Sequence, residues 1–176
     1  HYSNIIYSNK KKKIIIPNSF DLSRFTYFKQ NTFKYNYLHL GRLEYIKGFD
    51  KFMEFTTNET NVIVIGNGSL QPPVSDNITH FRRIDNNDLP KYLHQCKFVV
   101  SLSLSEGNPK GLIEAIICGC YPILSNIDVH REIHKKLGYG TILNGDYTSN
   151  KNLKIDKKKL NIFRTIYCSE ANIQKE

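Results

Sequence analysis

This 176-residue sequence is poor in cysteine, poor in acid and empty of long apolar runs. Its four cysteines, Cys96, Cys118, Cys120 and Cys168, show neither the paired spacing of a zinc site nor the even spacing of a disulfide framework, and three of them lie in or beside apolar segments. They read as reduced thiols of a core, which makes the cytoplasm the expected compartment. No apolar stretch approaches the ~18 residues of a membrane span, and no signal-peptide pattern opens the chain. Zinc-finger spacing, the aromatic signature of an RRM and an evident recognition helix are missing, so nucleic acid is not an expected partner. His130 and His134 lie four residues apart, a metal-ligand spacing, yet nothing places a third ligand beside them; both are read as surface histidines and no metal is expected. The shortage of acid, 16 acidic side chains against 25 basic ones, leaves a formal charge of +9. Lysines gather at Lys10 to Lys13, at Lys135 and Lys136, and at Lys157 to Lys159, in places that read as termini or solvated helix faces. Two readings of them stay open: simple solvation, or attraction to an anionic partner such as a membrane leaflet or a nucleoside diphosphate.

What is present is one domain's worth of chain, 40% hydrophobic and 23% charged, organised around residues 103–119. The apolar run from Lys97 to Leu102 gives way to Ser103-Leu-Ser-Glu106-Gly107-Asn108-Pro109-Lys110-Gly111, and then to a second apolar run ending in Gly119. That order reads as strand, loop, helix. Asn108 suits the N-cap, Pro109 the first helical position, and Gly119 the C-terminal cap. The loop would aim free N–H groups and the positive end of a helix above the strand's carboxyl end, where phosphate is attracted. Glu106 in the loop and Glu114 in the helix bracket the turn. Glu114, flanked by Leu112, Ile113, Ala115, Ile116 and Ile117, is expected to be buried, and a buried carboxylate needs donors. The vicinal hydroxyls of a ribose would supply them; the alternative is a pair with Lys110 one turn earlier.

The rest alternates in the same way. Tyr37 to Gly41 is a strand, Arg42 to Gly48 a basic loop, and Phe49 to Phe55 a helix by its aromatic spacing. Asn61 to Gly68 is a β-branched strand ending in a glycine turn, after which Gln71-Pro-Pro-Val-Ser-Asp leaves no room for a helix. Ile78 to Ile84, Tyr121 to Ser125 and Tyr139 to Leu143 are further strands; Asp85 to Gln95, the segment ending in Arg131-Glu132-Ile133, and Asp156 to Cys168 are helices. The fold expected is α/β, a Rossmann-like, doubly wound, mainly parallel sheet of about six strands with its loops gathered at the carboxyl ends.

Ser105-Glu-Gly-Asn-Pro-Lys-Gly-Leu-Ile-Glu-Ala-Ile-Ile-Cys-Gly-Cys-Tyr-Pro-Ile resembles the Glu-x7-Glu signature of retaining glycosyltransferases of the two-domain GT-B fold, in particular family 4. Gly41-Arg42-Leu, followed by Lys47-Gly48, is similar to that family's Gly-Arg-Leu-x3-Lys-Gly, and Gly66-Asn-Gly68 to its Val-x-Gly-x-Gly. The resemblance implies that Arg42 and Lys47 clamp the diphosphate of a nucleotide-sugar donor, beside Gly41 and the turn Gly107, Asn108, Pro109, Lys110 and Gly111. It further implies that Glu106 attends the sugar and Glu114 the ribose, and that the base lies near Arg83 and Ile84. The sequence departs from the family at Ser19, at Arg82 and near His130, where glycine is usual. By the same likeness, residues 1–36 are expected to close an absent N-terminal, acceptor-binding domain and link to this one, 37–155 to be the donor-binding domain, and 156–176 a terminal helix and tail. The implied function is the donor half of a hexosyltransferase that moves sugar from a nucleoside diphosphate to a saccharide or lipid-linked acceptor, inactive alone. No cofactor is implied; peripheral contact with an anionic membrane at its inner face rests on the basic charge alone, as the second of the two readings above. A non-catalytic nucleotide-binding module and a GT-B-scaffold epimerase or phosphorylase are the alternatives.

Overall fold

The computed structural model describes strand residues 4–5 and 14–15, residue 20, and residues 23–27, 32–145 and 154–172. Two short strands, β1 (Asn4–Ile5) and β2 (Ile14–Ile15), pair antiparallel. The remaining strands are β3 (Tyr35–Leu40), β4 (Val62–Ile65), β5 (Ile78–Phe81), β6 (Cys96–Ser101), β7 (Tyr121–Ser125) and β8 (Thr141–Leu143). They form one sheet in the order β5-β4-β3-β6-β7-β8, with every pairing parallel. This is the doubly wound α/β arrangement the sequence predicts. The connection expected over residues 1–36 lies mostly outside the described residues.

The pleat explains the two cores. Successive strand residues face opposite sides, so β3 sends Tyr37 to one layer and Leu38 to the other. The four residues of β4 are all buried, Val62 and Val64 on one face and Ile63 and Ile65 on the other, because both faces of the sheet are covered. On one side α1 (Phe49–Phe55) inserts Phe49, Phe52 and Phe55 against Tyr37 and Phe98. On the other lie α3 (Lys110–Ile117), α4 (Asp128–Leu137) and α5 (Lys157–Asn172), with Ile116, Ile133 and Phe163 meeting Leu38 and Leu124 in one cluster. Arg164 on α5 donates to the carbonyl of Ile117 at 3.2 Å, tying the last helix under the end of α3. A short helix, α2 (Leu89–Leu93), precedes β6; no helix joins β4 to β5, as the prolines at 72 and 73 predict.

Cys96, Cys118 and Cys120 are buried free thiols, and burial raises each above its ordinary range, Cys118 to about 12. Among the described residues no helix is long and apolar enough to cross a membrane.

The topology fixes where a ligand can sit. The chain winds outward from β3 through β4 to β5, then returns to place β6 on the other side of β3. At that reversal the connecting loops part, and the carboxyl ends of β3 and β6 border a crevice.

Candidate functional site

Two cavities open at those strand ends and share a seam. The inner one, about 160 Å³, lies between Gly41 and Arg42 after β3, Lys47 before α1, Ser103 and Glu106 after β6, and Gly111 in α3. The outer one, about 400 Å³, is bordered by Gly66 after β4, by Arg82, Arg83 and Ile84 after β5, and by Glu114 on α3. Leu40, Gly41, Arg42 and Gly111 line both.

Lys47 reaches the inner cavity from a 3-10 turn, Tyr45–Lys47, that Gly48 closes in the left-handed region at φ 64°. A Cβ on Gly48 would stand 2.0 Å from the carbonyl oxygen of Leu102, so only glycine lets this turn lie on the end of β6. The lysine Nζ then meets Glu106 Oε2 at 2.7 Å, with both side chains largely buried. The other carboxylate oxygen of Glu106 accepts from Ser103 Oγ, also at 2.7 Å. Lys47, expected on a phosphate, is thus held by the first carboxylate, with two of its three N–H donors left to serve something else.

Arg42 is exposed and bonded only loosely to Glu44 Oε2, at 3.5 Å, which leaves most of the guanidinium available at the seam. Glu114 is half-buried where burial was expected, because residues 110, 111 and 114 share the open face of α3 while its apolar neighbours point elsewhere. Burial raises its pKa, and the charges of Arg24 and Lys110 oppose that rise. The neighbouring Lys110 foreseen from spacing is therefore present, and Glu114 borders the outer cavity as well.

The helix start differs from expectation by one residue. Pro109 occupies the N-cap with ψ 73°, Lys110 is the first helical residue, and the Asn108 side chain makes no cap bond. The Asn108 carbonyl instead accepts the Lys110 N–H at 2.9 Å. Gly111 and Leu112, both bordering the inner cavity, keep first-turn N–H groups without a carbonyl partner among the described residues. Gly107, Asn108 and Lys110 are exposed and line neither cavity, whereas Pro109 is buried and lines the inner one. At its other end α3 terminates on Gly119, φ 101°, whose N–H bonds the Ile116 carbonyl while that of Cys120 bonds Ala115.

Sequence reasoning missed two buried histidines. His39, at the end of β3, is buried against Phe49 and Phe52 and borders the inner cavity, and neither ring nitrogen has a hydrogen-bond partner among the described residues; burial lowers its pKa to about 4. His130, read as a surface histidine, is fully buried, again near 4 through burial, and bonds Ser101 and Ser125. The signal was in the spacing: His130, Ile133 and Leu137 fall three and four apart on one helical stripe. His134 bonds the Gly140 carbonyl from a half-buried position, so the two histidines do not act together.

A doubly wound parallel sheet with free helix N–H groups, a basic loop and two carboxylates at its switch point has the architecture of a Rossmann-like α/β domain of the GT-B kind. The profile of the family described as "Glycosyl transferases group 1" matches residues 23–155, and the chain belongs to that family. No curated protein sequence matches significantly. Among solved structures, the C-terminal domain of a glycosyl transferase group 1 family protein (LpcC) from Francisella tularensis is similar at 17% identity and a TM-score of 0.58, over 90% of this chain and 99% of that one. AviGT4, a glycosyltransferase involved in avilamycin A biosynthesis, gives 14% identity and a TM-score of 0.68 over 91% of this chain and 56% of its own. HepE of Anabaena, solved in complex with UDP-glucose, gives 16% and 0.58 over 91% and 52%. The chain therefore spans little more than half the length of the latter two.

Proposed function

We propose that this chain is the donor-binding domain of a retaining, metal-independent glycosyltransferase that takes a hexose from a nucleoside diphosphate and delivers it to a saccharide or lipid-linked acceptor. The observation that carries the reading is the seam: one ligand crossing from the outer to the inner cavity meets Glu114, then Arg42 and Gly111, then Lys47 and Glu106. Ribose hydroxyls answer Glu114, and the diphosphate answers Arg42 and the first-turn N–H groups. The sugar lies by Glu106, and the base by Arg83 and Ile84. A guanidinium, an ammonium and a helix N-terminus supply the charge that a departing diphosphate requires, so the scheme needs no metal. HepE, a structural relative, was captured with UDP-glucose, which is the class of ligand assigned here.

Glu106 orients the sugar, and a phosphate oxygen of the leaving group receives the acceptor's proton. The acceptor side belongs to a further domain, so the isolated chain binds donor and transfers nothing. Where α4 ends and α5 begins, Lys159 bonds the Gly138 carbonyl and pairs with Asp156, and the exposed Lys135, Lys157 and Lys158 on the two helices offer positive charge suited to an anionic leaflet.

The test is a thermal-shift and calorimetry panel of uridine, guanosine and adenosine diphosphates with their sugars. One nucleotide series stabilises the chain, by about 2.7 kcal/mol when ligand stands at roughly 100 times its Kd. The Arg42→Ala variant then binds the diphosphate about 10- to 100-fold more weakly, the loss of a charge-assisted bond of roughly 1.5–3 kcal/mol. Silence across the panel at millimolar ligand, or turnover by the chain alone, would count against the assignment.

A further inference from the structure

Glu106 does its work from an irregular loop, and a loop holds a carboxylate in place only if something holds the loop. Two backbone groups are fastened. The N–H of Leu104 bonds the Ile46 carbonyl at 3.0 Å, next to Lys47, and the carbonyl of Ser103 accepts Ser125 Oγ at 2.6 Å. Ser125 ends β7, so the second tie runs from one strand end to the next.

The donors in this second tie can be assigned by counting protons. A serine hydroxyl has one hydrogen, and the 2.6 Å contact commits that of Ser125 to the Ser103 carbonyl. Its oxygen can then only accept from His130 Nδ1, 3.0 Å away, and the Ser125 carbonyl, 3.1 Å from the same nitrogen, can likewise only accept, so Nδ1 carries the imidazole proton and shares it between the two. The bare Nε2 accepts from Ser101 Oγ at 3.3 Å. Ser103 in turn gives its hydroxyl proton to Glu106 Oε1. The line is continuous: His130 to Ser125, Ser125 to Ser103, Ser103 to Glu106, with Lys47 closing the far side. An apolar residue at 130 would fill the same buried space without a polar group to satisfy. The imidazole is therefore explained by its bonds and not by its volume.

We propose that His130 and Ser125 are positioning residues for the sugar-side carboxylate: acting through Ser103, they fix where Glu106 stands in the inner cavity. The proposal rests on the donor reading above and deepens it, since it concerns only the sugar end of the ligand. Neither residue lines either cavity.

Its signature is a ratio. Using the nucleoside diphosphate and the sugar nucleotide that bind the unaltered chain, calorimetry gives the affinity of each for Ser125→Ala, His130→Phe and His130→Asn. Ser125→Ala and His130→Phe weaken the sugar nucleotide about 5- to 10-fold and leave the bare diphosphate within about twofold, by loss of one to two hydrogen bonds' worth of placement. His130→Asn, whose amide can donate where Nδ1–H did, restores most of the ratio. Ser125→Ala removes a single oxygen and keeps the comparison available should His130→Phe fold poorly. If both ligands weaken together, or neither does, the network merely supports the fold and the proposal is overturned. If the unaltered chain binds neither ligand, the donor reading itself falls and takes the proposal with it.

Discussion

The carboxyl end of β3 and the join between β7 and α4 each bury a histidine, and they treat it in opposite ways. His39 lies 4% exposed against two phenylalanine rings at the floor of the inner cavity, with both nitrogens unpaired among the described residues; His130, wholly enclosed, uses both. Burial holds each near 4, so both are neutral at pH 7 for the same reason. The difference is in what neutrality permits. At His130 a neutral ring is both donor and acceptor, and so can link two serines in one direction. At His39 it behaves as a polar stand-in for an aromatic side chain, and its desolvated nitrogens weaken the fold they sit in.

The largest effect expected is one the two regions share. An unfolded chain protonates its histidines near 6.5, whereas the folded chain resists until about 4, so between those values the unfolded state binds more protons. Stability is then complete above roughly pH 6.5, falls as the pH drops toward 4, and has lost about 3 kcal/mol for each histidine at the bottom of that window. Urea denaturation across this range measures the slope. His39→Phe should remove about half of the acid loss, and a slope identical to the unaltered chain's would mean that His39 is not the neutral, buried group described.

At pH 7 the same substitution separates the two regions by sign. His39→Phe replaces two unpaired nitrogens by ring carbon among Phe49 and Phe52, and should raise stability by about 1 kcal/mol. His130→Phe strands the hydroxyl of Ser101 and takes from Ser125 Oγ its one donor among the described residues, and should lower it by about 2 kcal/mol. Denaturation midpoints that move in the same direction would erase the distinction.

Much of this site was legible because it is written in local pattern. The strand, loop and helix around Glu106 and Glu114, the basic loop holding Arg42 and Lys47, and the missing helix after residue 71 follow from apolar runs, glycine and proline at fixed offsets. What spacing could not give is which face of an element meets which neighbour. Glu114 has apolar residues on both sides in sequence, yet its own position on the helix turns it to the cavity. Lys47 and Glu106, 59 residues apart, become partners only when the sheet places β6 beside β3. Proline in the N-cap, and not one residue later, follows from a local bond between Asn108 and Lys110 that propensity does not encode.

The smallest effect concerns Ser101, whose hydroxyl is all that keeps His130 Nε2 from resembling a nitrogen of His39. At 3.3 Å the bond is long, and Ser101 is only half-buried, so its loss through Ser101→Ala should cost about 0.5–1 kcal/mol. The tie to Glu106, however, leaves His130 through Nδ1 and not through Nε2. Ser101→Ala should therefore shift the affinity ratio of sugar nucleotide to bare diphosphate less than Ser125→Ala does, even where the two variants lose similar stability. Calorimetry of the pair decides: equal shifts would mean that the carboxylate responds to any loosening of this corner, or that the Ser101 hydroxyl, which borders the inner cavity, meets the sugar itself.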